Sequence, residues 1–394
     1  MLIAVKLGLG LGLGLGNLKS GRRNGIIPIS SIKLGRSNCK WKASLNLITN
    51  PDAFEVGPFL GSYGFFNVTS YSGFESGVDY GYLSEDMGKL RTQDVGEGGV
   101  NIRLYEGRIT QGSYKGTSVL FKVYPGQRAG GVEADMMAAN ELSTHLYLQS
   151  RSKETYQNLQ ILIGGFETKT GEQWLAFRYD GKYSAADYAK IASERLTKRK
   201  TLDSESAWNP FEQAVTFKRK RNFVVKMLQG IFSGLVYMHD HDRLHQSLGP
   251  ASVVLNYSSL EKGPETGTLS EGLWRRATAA GAFNPIEKRN FGIADDIYEA
   301  GLLFAFLAFT PFCETGVMDS ITLRRLLENT FQLDLQAVRE YCLADDRLLE
   351  AVKFLDIGDG AGWELLQAML NPDYRKRPVA AAVQSHRFVS GALL

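Results

Sequence analysis

Apolar residues recur along this 394-residue chain with two different periods. Over 222–239, Val224, Leu228, Ile231, Leu235 and Met238 follow at intervals of four, three, four and three, which lines one face of an α-helix. Upstream, the segments 101–103, 113–124, 159–166 and 174–179 alternate or are rich in β-branched and aromatic residues, as half-buried strands are. Between them, 133–149 has no Pro or Gly and sets Met137, Glu141 and His145 on one face at four-residue spacing, so a helix interrupts the strands. Further helices are expected over 297–309, 320–329, 335–342, 346–355 and 363–370. The run GLLFAFLAF within 297–309 is too short to cross a membrane and reads as a buried helix. The pattern therefore predicts an α+β fold, with a small strand-rich lobe followed by a larger helical lobe.

Before these elements, 54–99 is rich in Gly, Ser and aromatic residues and has no long apolar period. Short strands and turns suit it better than helices, either as a cover on the next domain or as an extended docking segment. Charge separates the first 50 residues from everything after them. They hold eight Lys or Arg and no Asp or Glu, and taking those eight charges from the net +3 leaves −5 for the rest. A basic, acid-free, Ser-containing start has the character of a plastid or mitochondrial transit peptide, with a disordered tail or a nucleic-acid arm as the other readings. The organisation expected is a leader over 1–50, an extension over 51–99 and a domain over 100–394, with its N-lobe at 100–179 and C-lobe at 180–394.

Cys39, Cys313 and Cys342 lie far apart and match neither a disulfide framework nor a metal-ligand spacing. His239, His241 and His245 lack the Cys or carboxylate partners that a zinc site needs. Two basic clusters, at 198–200 and 218–221, read either as a face for an anionic partner or as an exposed insertion balanced by Asp203, Glu205 and Glu212. The acidic mature composition and the lack of a nucleic-acid-reading motif argue against nucleic acid.

Four stretches carry the candidate chemistry. YEGRITQGSYKGTSVLFKVY contains Gly107 and Gly112 and ends just after Lys122, and Glu141 follows nineteen residues later in the predicted helix. FVVKMLQGIFSGLVYMHDHDRLHQSLGPASVVLN runs from the long helix into a loop holding His245, Gln246, Ser247, Leu248, Gly249, Pro250 and Ser252. IADDIYEAG opens a buried helix at Asp296, and AMLNPDYRKRPVAAAVQSHRF contains Arg377 near the end. In this order they resemble the eukaryotic-type protein kinase family over about residues 101–390, particularly a degenerate plant organellar kinase or pseudokinase.

The resemblance implies a role for each position. Lys122 matches the phosphate-contacting lysine, Glu141 the glutamate that orients it, and Gly107 and Gly112 an altered glycine-rich turn. His245 is retained in the catalytic loop, whereas Ser247 stands where the catalytic-base Asp belongs and Ser252 where a metal-binding Asn belongs. Asp296 would hold the loop backbone, and Arg377 would pair with a glutamate for which Glu287 is the weak candidate. No Asp occurs between 257 and 294, so the metal-binding Asp-Phe-Gly motif has no place in its usual interval. Asn290, Phe291 and Gly292 come too late to supply it.

A serine offers no fixed charge for proton abstraction or magnesium binding. No catalytic residue and no metal ligand is therefore assigned, and ATP with Mg or Mn remains the cofactor the fold would imply. The expectation is a noncatalytic kinase-like scaffold or regulator of an organellar protein complex, in a chloroplast or other plastid with the mitochondrion as alternative. The competing readings are an atypical ATP-dependent serine/threonine kinase with a rearranged site and a module for an anionic partner.

Overall fold

The computed structural model describes residues 3–6, 47–65, 100–151, 158–179, 181, 183–202, 210–246, 248–256 and 271–392. Two strands precede the first helix of the N-lobe by a wide margin: β1 at Ile3–Lys6 and β2 at Phe54–Phe65. They are followed by β3 at Val100–Ile109, β4 at Ser118–Tyr124, helix α1 at Gln127–Arg151, β5 at Leu162–Glu167 and β6 at Gln173–Arg178. β2 to β6 form one antiparallel sheet in the order β2-β3-β4-β6-β5.

Side-chain alternation along β4 divides the lobe. Val119, Phe121 and Val123 enter an apolar layer with Phe54, Ile109 and Phe166, while Tyr124 lies on the opposite face with Val100, Ile102, Phe177 and the α1 residues Ala134, Ala138 and Leu142. Lys122, two residues before Tyr124, shares the α1 face. Phe166 stacks on Trp174 and Trp174 on Tyr105, so the outer layer is largely aromatic.

The sheet begins earlier than a domain boundary at 100 allows. Phe54–Phe65 is its edge strand, paired from Phe54↔Ile109 to Phe65↔Val100, with register shifts between Val56 and Phe59 and between Phe59 and Gly61. Gly57, Gly61 and Gly64 together with those irregularities break the alternation, which is why the sequence showed only turns and short strands. Residues 66–99, the rest of the expected extension, lie outside the described residues.

The second lobe opens with the short β7 at Tyr183–Ser184 and helix α2 at Ala185–Leu202, then α3 at Pro210–Asp240 and β8 at Val253–Asn256. The helix expected over 222–239 thus starts twelve residues sooner, with Pro210 at a first-turn position where its missing N–H costs nothing. The basic clusters consequently sit on helices: 198–200 ends α2, and 218–221 lies in α3, where Lys220 is tied to Glu350 at 2.8 Å. Acidic residues 203–209 of the expected insertion are outside the described residues, apart from Glu212, which is in α3.

Helices α4 at Glu271–Ala279, α5 at Pro285–Phe309, α6 at Ser320–Arg325, α7 at Leu335–Leu343, α8 at Leu349–Leu355, α9 at Ile357–Met369 and α10 at Ala380–Ser385 complete the lobe. A left-handed run at Gly358, Asp359 and Gly360 interrupts α9 near its start. The stripe Val224, Leu228, Ile231, Leu235 and Met238 of α3 is buried against Ile297, Phe304 and Leu307 of α5, each fully buried aliphatic side chain contributing about 1.5–3 kcal/mol. α5 is enclosed on most sides, consistent with its continuous apolar run. Among the described residues, no helix is long and apolar enough to cross a membrane. The chain has the kinase-like α+β architecture, a strand-rich N-terminal lobe and a larger helical C-terminal lobe.

Candidate functional site

Because β4 alternates, Lys122 leaves the sheet on the face that α1 covers, and α1 brings Glu141 to meet it. Lys122 Nζ lies 2.5 Å from Glu141 Oε1, and Tyr124, two residues along the same strand face, donates its hydroxyl to Glu141 Oε2. The lysine is 2% exposed and its ammonium sits 5.3 Å from the Phe177 ring centroid. Burial alone would raise the Glu141 carboxyl, but the Lys122 charge overrides it and holds the carboxyl well below the usual range. His145, one turn on, packs edge-on against Phe177 and lies 3.8 Å from Glu141 Oε1, too far for a hydrogen bond. Burial pushes its imidazole down, toward the neutral form.

The loop after α3 is set by a carboxylate from another helix. α3 ends at Asp240, and Asp242 just beyond it is left-handed, with φ of 63°. From the middle of α5, Asp296 accepts the backbone N–H of His245 on Oδ2 and that of Gln246 on Oδ1, both at 2.7 Å, and His239 Nε2 lies 3.1 Å from Oδ2. Gln246 has φ of 61°, a conformation a non-glycine residue keeps only where its surroundings impose it. His245 is buried, neither ring nitrogen has a hydrogen-bond partner among the described residues, and burial pushes its pKa well below the normal value. Arg243 lies over the Tyr147 ring of α1 at 5.2 Å, which links the loop to the other lobe.

Ser252 closes a 3-10 turn at Pro250–Ser252: its hydroxyl accepts the Gly249 N–H at 2.9 Å and donates to the Gly249 carbonyl at 2.8 Å. Its polar capacity is spent on its own loop. Ser247 lies outside the described residues, as do 257–270 of the interval that lacks Asp.

One expected pair, Arg377 with Glu287, is not formed. Glu287 accepts the N–H groups of Phe283 and Asn284 while Asn284 accepts that of Glu287, so this carboxylate completes the capping box of α5. Arg377 instead donates to the carbonyls of Asn371 at 2.7 Å and Ala294 at 3.1 Å and stacks 4.6 Å from the Tyr298 ring centroid. The ion pair that does clamp this region is Arg276 with Asp295, bidentate at 2.8 and 2.9 Å, joining α4 to α5. An Arg-to-Asp link across eighteen intervening residues of mixed helix and turn has no spacing that sequence alone would single out.

The two candidate glycines have different surroundings, in the sheet whose third strand, β4, carries Lys122. Gly107 lies within β3, where a Cβ would come 2.4 Å from Phe121 Cε2 and 2.6 Å from the Glu55 carbonyl oxygen, so it is a packing glycine. Gly112, at φ of 79°, belongs to the turn between β3 and β4 and faces open space.

The cleft therefore holds two engaged carboxylates: Glu141 by Lys122 and Tyr124, Asp296 by two backbone amides. Among the described residues, no group of three or more His, Cys, Asp or Glu side chains could hold a metal ion. What the arrangement can do is hold Lys122 against α1 and keep the loop backbone fixed.

No protein-family model matches this chain, and no curated protein does. Among solved structures, 1106 chains match. One is the crystal structure of a Stt7 homolog from Micromonas algae soaked with ATP, with 16% sequence identity, 86% of this chain and 93% of that chain covered, and a TM-score of 0.49.

Proposed function

We propose that this chain is a kinase-like module that works by binding, as a noncatalytic scaffold or regulator of a protein complex in a plastid. The observation that carries the reading is in the sequence: Ser247 and Ser252 stand where the resemblance implies an Asp and an Asn, and no Asp occurs between 257 and 294. Of the groups described near the loop, Glu141 and Asp296 hold Lys122 and the loop backbone, and the Ser252 hydroxyl is bonded to its own turn. Efficient phosphoryl transfer needs a carboxylate to receive the hydroxyl proton and fixed ligands for magnesium, and neither is supplied by these groups. The features that remain are those that hold a fold in one state. The basic, acid-free residues 1–50 support delivery to a plastid, with the mitochondrion as the alternative destination.

The test uses the purified full chain with magnesium and with manganese against a broad protein substrate set. The expected result is no phosphotransfer, with or without weak ATP binding, and a reproducible complex on affinity capture from the organelle. Robust transfer that Lys122→Ala abolishes would overturn the reading in favour of an atypical kinase. That second reading has one observation behind it: the Lys122–Glu141 pair is closed at 2.5 Å, the arrangement in which the lysine is oriented in an active kinase. A reporter fused to residues 1–50 that stays in the cytosol would remove the organellar part alone.

A further inference from the structure

β8 is the strand that leads out of the candidate loop, and its two edges are covered unequally. On one side β7 pairs antiparallel with only two of its residues, Tyr183↔Leu255 and Ser184↔Val254. On the other side β1 runs parallel along its whole length, Ile3↔Val253, Ala4↔Val254, Val5↔Leu255 and Lys6↔Asn256. β1 also packs against α3, the helix that feeds the loop. Val253 and Leu255 are buried within the C-lobe core. An uncovered edge beside such a core would leave backbone N–H and C=O groups unpaired, the situation that invites addition of a foreign strand.

We infer that the outer edge of β8 is a binding surface for an extended strand in parallel register, and that its occupant in the full chain is Ile3–Lys6. The segment read from its charge as a leader then carries a structural strand. The Ile-Ala-Val-Lys sequence suits this, since it has no proline and two β-branched residues. The long chain between β1 and β8 is no obstacle, because closure entropy grows only with the logarithm of loop length. Removal of the leader would vacate the edge immediately after the Pro250–Ser252 turn and leave it open to a partner's strand. The inference does not depend on whether the cleft transfers phosphate, and its failure would leave the noncatalytic reading untouched.

Amide hydrogen exchange on the full chain tests it. Strand N–H groups point alternately to the two sides, so one of Ala4→Pro and Val5→Pro must remove a donor from the β1–β8 ladder. Exchange over 253–256 is expected to rise at least about tenfold in one of the two variants, with the α5 amides unchanged. A synthetic peptide of residues 1–8 added to that variant should restore protection. Wild-type exchange over 253–256 in both variants would show that another segment covers β8 and would overturn the inference. A second measurement is independent of the prolines. The Ala4→Cys/Val254→Cys chain should form an intrachain disulfide at the paired register, whereas Ala4→Cys/Asn256→Cys should not. Equal crosslinking in both pairs, or none in the first, would also overturn it.

Discussion

Replacing Asp296 with Ala should cost this protein about 2.5 kcal/mol, and the reasoning is exposed at each step. The side chain is 1% exposed and accepts two backbone N–H groups at 2.7 Å, with His239 Nε2 at 3.1 Å. A hydrogen bond to a charged group is worth about 1.5–3 kcal/mol, so the two amides together account for about 3–6 kcal/mol. Against this, Gln246 would be released from its φ of 61°, recovering about 1–3 kcal/mol of backbone strain. Taking the middle of each range leaves a loss of about 2.5 kcal/mol, within outer limits of about 0–5 kcal/mol, a large part of the roughly 5–15 kcal/mol that a domain has in total. Urea unfolding followed by Trp fluorescence reads the shift in midpoint, with the slope unchanged if the same surface is exposed. Amide exchange should localise the change to 245 and 246. Asp296→Asn, which keeps one acceptor but presents an NH2 to the second amide, should fall between wild type and Asp296→Ala. A cost below about 1 kcal/mol, or a larger one with unchanged exchange at Gln246, would show that the loop is held by something else.

Three further outcomes are expected. Lys122→Met should destabilise by about 3–5 kcal/mol because it strands the buried Glu141 carboxylate, and Lys122→Met/Glu141→Leu should recover most of that loss in thermal or urea unfolding. His145 and His245 are both kept neutral by burial, so the unfolded chain binds more protons than the folded one once pH falls below about 6.5. Stability should therefore drop with acidification from that point, by up to about 1.4 kcal/mol per pH unit for each histidine, and His245→Phe should remove its share of the slope. The Glu141 contribution behaves differently: its depressed pKa leaves it intact above the unfolded value of 4.5, and it is lost only as pH falls through the lower folded value. Gly107→Ala should cost about 1–3 kcal/mol through overpacking against Phe121 and Glu55. Gly112→Ala should cost about 1 kcal/mol through its backbone conformation alone.

What the sequence determined by itself were the features written in a local period. The stripe of α3, the apolar run of α5 and the alternation of β4 are consequences of 3.6- and 2-residue geometry, so each reads directly from neighbouring residues. The pairing of Lys122 with Glu141 is implied by the resemblance, and the alternation of β4 turns the lysine to the face that α1 covers. The cap of α5 is equally local: Asn284 and Glu287 form a capping box three residues apart, which takes up the Glu287 carboxylate and leaves Arg377 to backbone carbonyls. Only the tertiary structure decided the rest. β2 has glycines and irregular register, and its strand character comes from pairing with β3 across residues 66–99. Gly107 is a glycine because Phe121 and Glu55 crowd it, and neither adjoins it in sequence. Arg276 with Asp295, and β1 beside β8, join groups that the chain brings together only after the helices have packed. Such pairings carry no periodic signature: their energy comes from desolvated charge and from backbone groups that must find partners, and the partner depends on which surfaces the folded lobes leave facing each other.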